Sequence, residues 1–89
     1  MRILLVEPEE KVREFFVEVL SRANHEVITA GDGMEASGKV KTESPDIVMT
    51  DIRLPGMDGV SLLKWIKQDY PDIEVIMITG LGDLQPAID

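Results

Sequence analysis

Apolar positions in this chain fall into short continuous runs separated by longer stretches with helical spacing. Ile3-Leu4-Leu5-Val6 precedes Glu7, Ile47-Val48-Met49-Thr50 precedes Asp51, and Val75-Ile76-Met77-Ile78 precedes Thr79. Runs of this kind, mostly branched and without polar alternation, suit strands covered on both faces, as in a parallel sheet. A weaker strand is expected from Val27 to Ala30, closed by Gly31-Asp32-Gly33. Between the strands, Val12, Phe15, Phe16, Val19 and Leu20 recur at helical spacing and predict one apolar stripe. Pro8 suits the first turn of that helix, Glu9 and Glu10 complement its positive end, and Asn24 is a stop signal. A second helix is expected near Met34 to Thr42, opened by the capping-box pair Asp32 and Glu35. Gly38 weakens it by about 1 kcal/mol relative to Ala. A third has Asp58 as N-cap, turns Leu62, Leu63 and Ile66 inward and ends before Pro71. A fourth is expected to begin at Asp83.

Alternating strands and helices point to an open parallel α/β sheet with right-handed crossovers. Neither an internal repeat nor a linker interrupts the 89 residues, so residues 1–89 read as one domain. Composition then narrows the function. Seventeen Asp+Glu against 9 Lys+Arg give a formal net charge of −8, which argues against direct nucleic-acid binding, since a polyphosphate needs clustered cations. The absence of Cys excludes disulfides and thiolate metal sites. No apolar run approaches the roughly 20 residues that cross a bilayer. A cytoplasmic setting, away from membranes, is the expectation.

Ligands of open parallel sheets bind at the carboxyl ends of the strands. There the chain places Glu7, Asp51 and Thr79, two carboxylates and a hydroxyl suited to a hard divalent cation and an oxyanion. A carboxylate can also attack phosphorus and form an acyl phosphate. Each residue alone has a plainer reading: Asp51 as a turn residue, Thr79 as strand, Glu7 and Glu9 as helix-dipole partners. Their convergence is what points to chemistry. His25 is expected in a solvated turn, the methionines in packing, and Trp65 partly exposed, where it could serve a partner surface. Gly31-Asp32-Gly33 is not a dinucleotide fingerprint.

The segment Pro45-Asp46-Ile47-Val48-Met49-Thr50-Asp51-Ile52-Arg53-Leu54-Pro55-Gly56-Met57-Asp58-Gly59 resembles the phosphoacceptor strand and loop of bacterial response-regulator receiver domains. The opening Ile3 to Glu7, the Asp32-Gly33 pair and Val75 to Gly80 follow in the right order. The resemblance covers essentially the whole chain and is nearest to receivers of the nitrogen-regulation type. It implies a flavodoxin-like open parallel sheet with helices on both faces and strand order 2-1-3-4-5, here incomplete at about four βα units. It also implies that Asp51 accepts a phosphoryl group from a sensor histidine kinase or phosphotransfer protein. Thr79 would hydrogen-bond that group and shift with it. Mg²⁺ would be held by Asp51, the Arg53 carbonyl and, through water, Glu7. Such a domain signals by conformational change and at most assists its own phosphorylation and dephosphorylation; transcription is a common output.

Two departures modify these expectations. Pro8 stands where the family carries a second acid, so Mg²⁺ binding is expected to be weak; Glu9 is the side chain that would reach back to help. The sequence given ends at Asp89, before the family's fifth strand and helix, and so lacks the Lys and aromatic residue that the family places there. A truncated receiver is the expectation. It would self-associate through the uncovered edge of the fourth strand and the helix face carrying Val12, Phe15, Phe16 and Val19. The alternative is a receiver-like interaction or dimerisation module that works without phosphorylation. An aspartyl-nucleophile phosphatase is disfavoured, because Arg53 occupies the position of its second acid.

Overall fold

Four parallel strands and three helices alternate along residues 1–78, the part of the chain that the computed structural model describes. They are β1 (Arg2–Val6), α1 (Glu10–Arg22), β2 (Glu26–Ala30), α2 (Gly33–Glu43), β3 (Ile47–Asp51), α3 (Gly59–Asp69) and β4 (Glu74–Ile78). The sheet order is β2-β1-β3-β4. The expected strands and helices are therefore present, with ends shifted by a residue or two. Thr79, Gly80 and the helix expected from Asp83 lie outside the described residues.

Register explains the core. Ile28, Leu4, Val48 and Val75 lie side by side across the sheet, and the row packs with Ala36 and Val40 of α2 and Leu62 and Ile66 of α3. Leu4, Val48, Leu62 and Ile66 are fully buried. The next row, Thr29, Leu5, Met49 and Ile76, faces the opposite side, because successive strand residues alternate. Right-handed crossovers put α1 on that second side. Burial there falls from Leu5, which is inaccessible, to Ile76 at the outer strand, 45% exposed.

Local signals account for the element ends. Asp32 Oδ1 accepts from Glu35 N–H at 2.8 Å, and Glu35 Oε1 accepts in return from Gly31 N–H at 2.9 Å. Asp58 Oδ1 accepts from Ser61 N–H at 2.8 Å. Asn24, just beyond α1, has φ +67°, the left-handed conformation that ends a helix. At the amino ends of the strands Arg2 acts as a clamp. Its N–H donates to Asp46 Oδ2, its Nη1 to the Glu43 carbonyl, and its Nε pairs with Glu26 at 3.3 Å.

Three details differ from the sequence reading. Pro8 precedes the helix rather than sitting in its first turn: Glu9 is the N-cap, in an extended conformation that frees its N–H for another partner. The α1 stripe is rotated. Val12, Phe16 and Leu20 are half-buried together with Arg13 and Val17, whereas Phe15 is 61% and Val19 48% exposed. His25 is half-buried rather than solvated, with its Nδ1 enclosed and unpartnered. Its N–H bonds the Leu20 carbonyl at 3.2 Å and so folds the turn against the end of α1. Trp65 is partly exposed as expected, and it also ties helices together, its ring 5.7 Å from that of Tyr70 and under the Lys41 ammonium.

Candidate functional site

β1 and β3 are neighbours, so the residues at their carboxyl ends converge. Glu7 follows β1 and keeps the sheet pattern by donating its N–H to the Ala30 carbonyl at 3.0 Å. Asp51 ends β3. Both are buried, Glu7 at 2% and Asp51 at 5% exposure. Both follow buried strand residues, Val6 and Thr50, which are paired across β1 and β3, so the strands carry the carboxylates into the interior.

The loop after Asp51 returns quickly and closes over it. Asp51 Oδ1 accepts from Arg53 N–H at 3.2 Å, and Gly59 N–H donates to the Ile52 carbonyl at 2.7 Å. A Cβ at Gly59 would run into the Asp51 carbonyl oxygen and come within 2.9 Å of Ile52 Cα. Glycine is thus required sterically where α3 begins. Thr50, fully buried, donates its hydroxyl to the Asp51 carbonyl at 3.0 Å.

Glu7 has an unusual environment. Its Oε2 accepts from Glu9 N–H at 3.0 Å, while Oε1 is enclosed and, in the ionised form, meets no hydrogen-bond donor. Burial pushes the Glu7 carboxyl above its ordinary pKa; the Glu9 N–H opposes this, and Asp51 reinforces it, both by its negative charge and because a protonated Glu7 can donate to the Asp51 carboxylate. Two close buried carboxylates, one with a bare oxygen, are hard oxygen donors that fit a small divalent cation. Glu9 contributes its backbone N–H here, and its side chain is exposed. Among the described residues no cluster of three or more acidic or histidine side chains gathers at metal-ligating distance.

Sequence reasoning passed over one polar residue at this site. Arg13 Nη1 donates to the Glu7 carbonyl at 2.8 Å from within the first turn of α1. No sequence signal identifies it, because the bond depends on how the helix enters after the Glu7–Glu9 turn. Gly59 was legible only as a loop residue. Its tight approach to the Asp51 carbonyl arises from the α3–β3 geometry.

Comparison with known proteins gives the family. The chain belongs to the response regulator receiver domain family, which it matches over residues 3–89. It is 37% identical over 84 residues to the DNA-binding transcriptional regulator NtrC of Klebsiella pneumoniae, covering 94% of this chain and 18% of that protein. It is 35% identical over 83 residues to sporulation initiation phosphotransferase F of Bacillus subtilis, covering 93% of this chain and 67% of that protein. A receiver domain structure from Clostridium thermocellum superposes with a TM-score of 0.84 at 32% identity, over 93% of this chain and 68% of that one. The chain thus spans from under a fifth to about two thirds of these relatives' length. Receiver domains belong to two-component systems, interact with histidine kinases or phosphotransferases, typically bind Mg²⁺, and have no general enzyme activity beyond their own phosphoryl transfer. No helix among the described residues is long and apolar enough to cross a membrane.

Proposed function

We propose that Asp51 is the phosphoacceptor of a cytoplasmic signalling switch, and that a sensor histidine kinase or phosphotransfer protein is the donor. The observation that carries this is the buried pair at the strand ends: Asp51 beside Glu7, whose Oε1 has no protein partner. In the reaction an Asp51 carboxylate oxygen attacks phosphorus, the P–N bond of the donor phosphohistidine breaks, and its imidazole leaves and takes up a proton. Arg53 N–H holds Asp51 Oδ1 and so limits the rotation of the nucleophile. Glu7, Asp51 and the Arg53 carbonyl would hold Mg²⁺, which supplies charge neutralisation at the transferring group. Pro8 offers no ligand atom, and Glu9, whose side chain is exposed, would supplement the set only by turning inward, so Mg²⁺ is expected to bind weakly. Thr79 would hydrogen-bond the phosphoryl group. Residues 1–89 form the receiver, and a transcriptional output is the expected consequence in a longer protein.

Intact mass after incubation with acetyl phosphate and Mg²⁺ tests the reading. A labile gain of one phosphoryl group is expected, and Asp51→Asn should abolish it. An unchanged mass in the unsubstituted chain would favour the second reading, an interaction module independent of phosphorylation. The exposed Phe15, Val19 and Ile76 side chains support that reading, because exposed apolar groups of this size favour association. By either reading the 89-residue chain should self-associate through the α1 face and the sheet edge; a strictly monomeric species by light scattering at tens of micromolar would overturn that expectation.

A further inference from the structure

Glu7 is followed by proline, so the turn into α1 has one main-chain donor fewer. Its N-cap residue, Glu9, makes no side-chain capping bond. Two hydrogen bonds on Glu7 fasten this turn: Glu9 N–H to the carboxylate oxygen Oε2 at 3.0 Å, and Arg13 Nη1 to the main-chain carbonyl at 2.8 Å. Arg13 is anchored at its other end as well, its own N–H bonding the Glu9 carbonyl at 2.9 Å. The residue is half-buried, with Nη1 3.8 Å from where a Cβ at Gly31 would stand. Its charge adds a last, smallest contribution, after the Gly31 N–H and Lys39, to holding the Glu35 carboxyl below the usual range.

We infer that Arg13 is a positioning residue for the acidic site. By gripping the Glu7 carbonyl it fixes the Glu7 peptide plane, and with it the direction of the unpartnered Glu7 Oε1. The inference rests on the phosphoacceptor reading, since it takes that oxygen to be a cation ligand. It also opposes simple electrostatics. A nearby guanidinium repels a divalent cation, so charge alone says that removing Arg13 should tighten metal binding. Positioning says that removal should weaken it, by roughly 10–100-fold, as for other groups that orient metal ligands.

Mn²⁺, read by electron paramagnetic resonance in the absence of any phosphodonor, serves as the probe. The expected order of affinity is wild type, then Arg13→Lys, then Arg13→Ala. Lysine keeps the charge and one donor but loses the planar fork. Hydrogen exchange supplies a readout independent of metal: the Glu9 amide should exchange faster in Arg13→Ala, while the amides of β1 and β3 keep their protection. Should Arg13→Ala fail to fold, Arg13→Lys carries the same test. Equal or tighter Mn²⁺ binding by either variant, with Glu9 exchange unchanged, overturns the role of Arg13. If the wild-type chain neither binds Mn²⁺ nor gains a phosphoryl group from acetyl phosphate, the site reading fails and the inference falls with it. If the wild type is phosphorylated and the variants bind Mn²⁺ as well as it does, only the inference fails.

Discussion

The two faces of the sheet carry equally apolar sequences and bury them very differently. On one side Leu4, Val48, Leu62 and Ile66 are inaccessible, and α2 and α3 close over the row between Ile28 and Val75. On the other, α1 has no fully buried residue, Phe15 and Val19 are exposed, and Ile76 projects from the outer strand. An apolar stripe therefore specifies that a helix will lie on a sheet, but not how much of the stripe is covered. Coverage depends on what lies beside the helix: α2 and α3 shield each other's flanks, whereas among the described residues α1 has no such neighbour.

The sharpest test of this contrast is a pair of truncations. Leu62→Ala should cost about 2–5 kcal/mol, the transfer loss plus a cavity that rigid neighbours cannot fill. Phe15→Ala, although it removes a larger side chain, should change stability by no more than about 0.5 kcal/mol. Urea denaturation reads both, and losses of similar size would mean that the α1 face is covered in solution, for example by a second copy.

Glu7 provides the next largest effect. Glu7→Gln should stabilise the fold near neutral pH by about 1–2 kcal/mol, since it removes a buried charge with an unpartnered oxygen. The pH dependence follows from the raised pKa. Folded Glu7 holds its proton more tightly than the unfolded chain does, so its contribution to stability is full below the ordinary value of 4.5. It is lost as pH rises through the raised folded value. Glu35 works the other way: its lowered pKa, caused first by the Gly31 N–H and then by Lys39, gives stability that is lost as pH falls below 4.5. Subtracting the Glu7→Gln profile from the wild-type profile isolates Glu7; a flat difference across the range above pH 4.5 would contradict the assignment.

Gly38→Ala on α2 is the smallest effect and the simplest. Its added Cβ meets nothing within 4 Å, so only helix propensity changes, and thermal unfolding should show a gain of about 1 kcal/mol. A loss would show that this side of α2 is in contact with something.

Much of the fold was legible in the residues. Asp32 with Glu35, Asp58 and Asn24 mark helix ends through short-range hydrogen bonds or backbone conformation, interactions that span at most a few residues and leave a local signature. The strand runs ending at Glu7 and Asp51 were equally readable, because a continuous apolar run needs cover on both faces. His25 was not, since its enclosure comes from the turn folding back onto α1. The rotation of α1 was hidden too: Phe15 and Phe16 satisfy the same helical period, and only docking onto β1 and β2 decides which faces inward.

The sequence by itself determined the alternation of elements, the presence of acids at two strand ends and the proline between Glu7 and Glu9. All of these are written in residue type and spacing. Tertiary structure decided the rest. It brought β1 beside β3, so that Glu7 and Asp51 share one buried site and raise the cost of ionising Glu7. It also carried Arg13 back to the Glu7 carbonyl and set Gly59 against Asp51. Those contacts join parts of the chain whose separation along the sequence says nothing of their distance in space; packing of helices on a parallel sheet sets that distance.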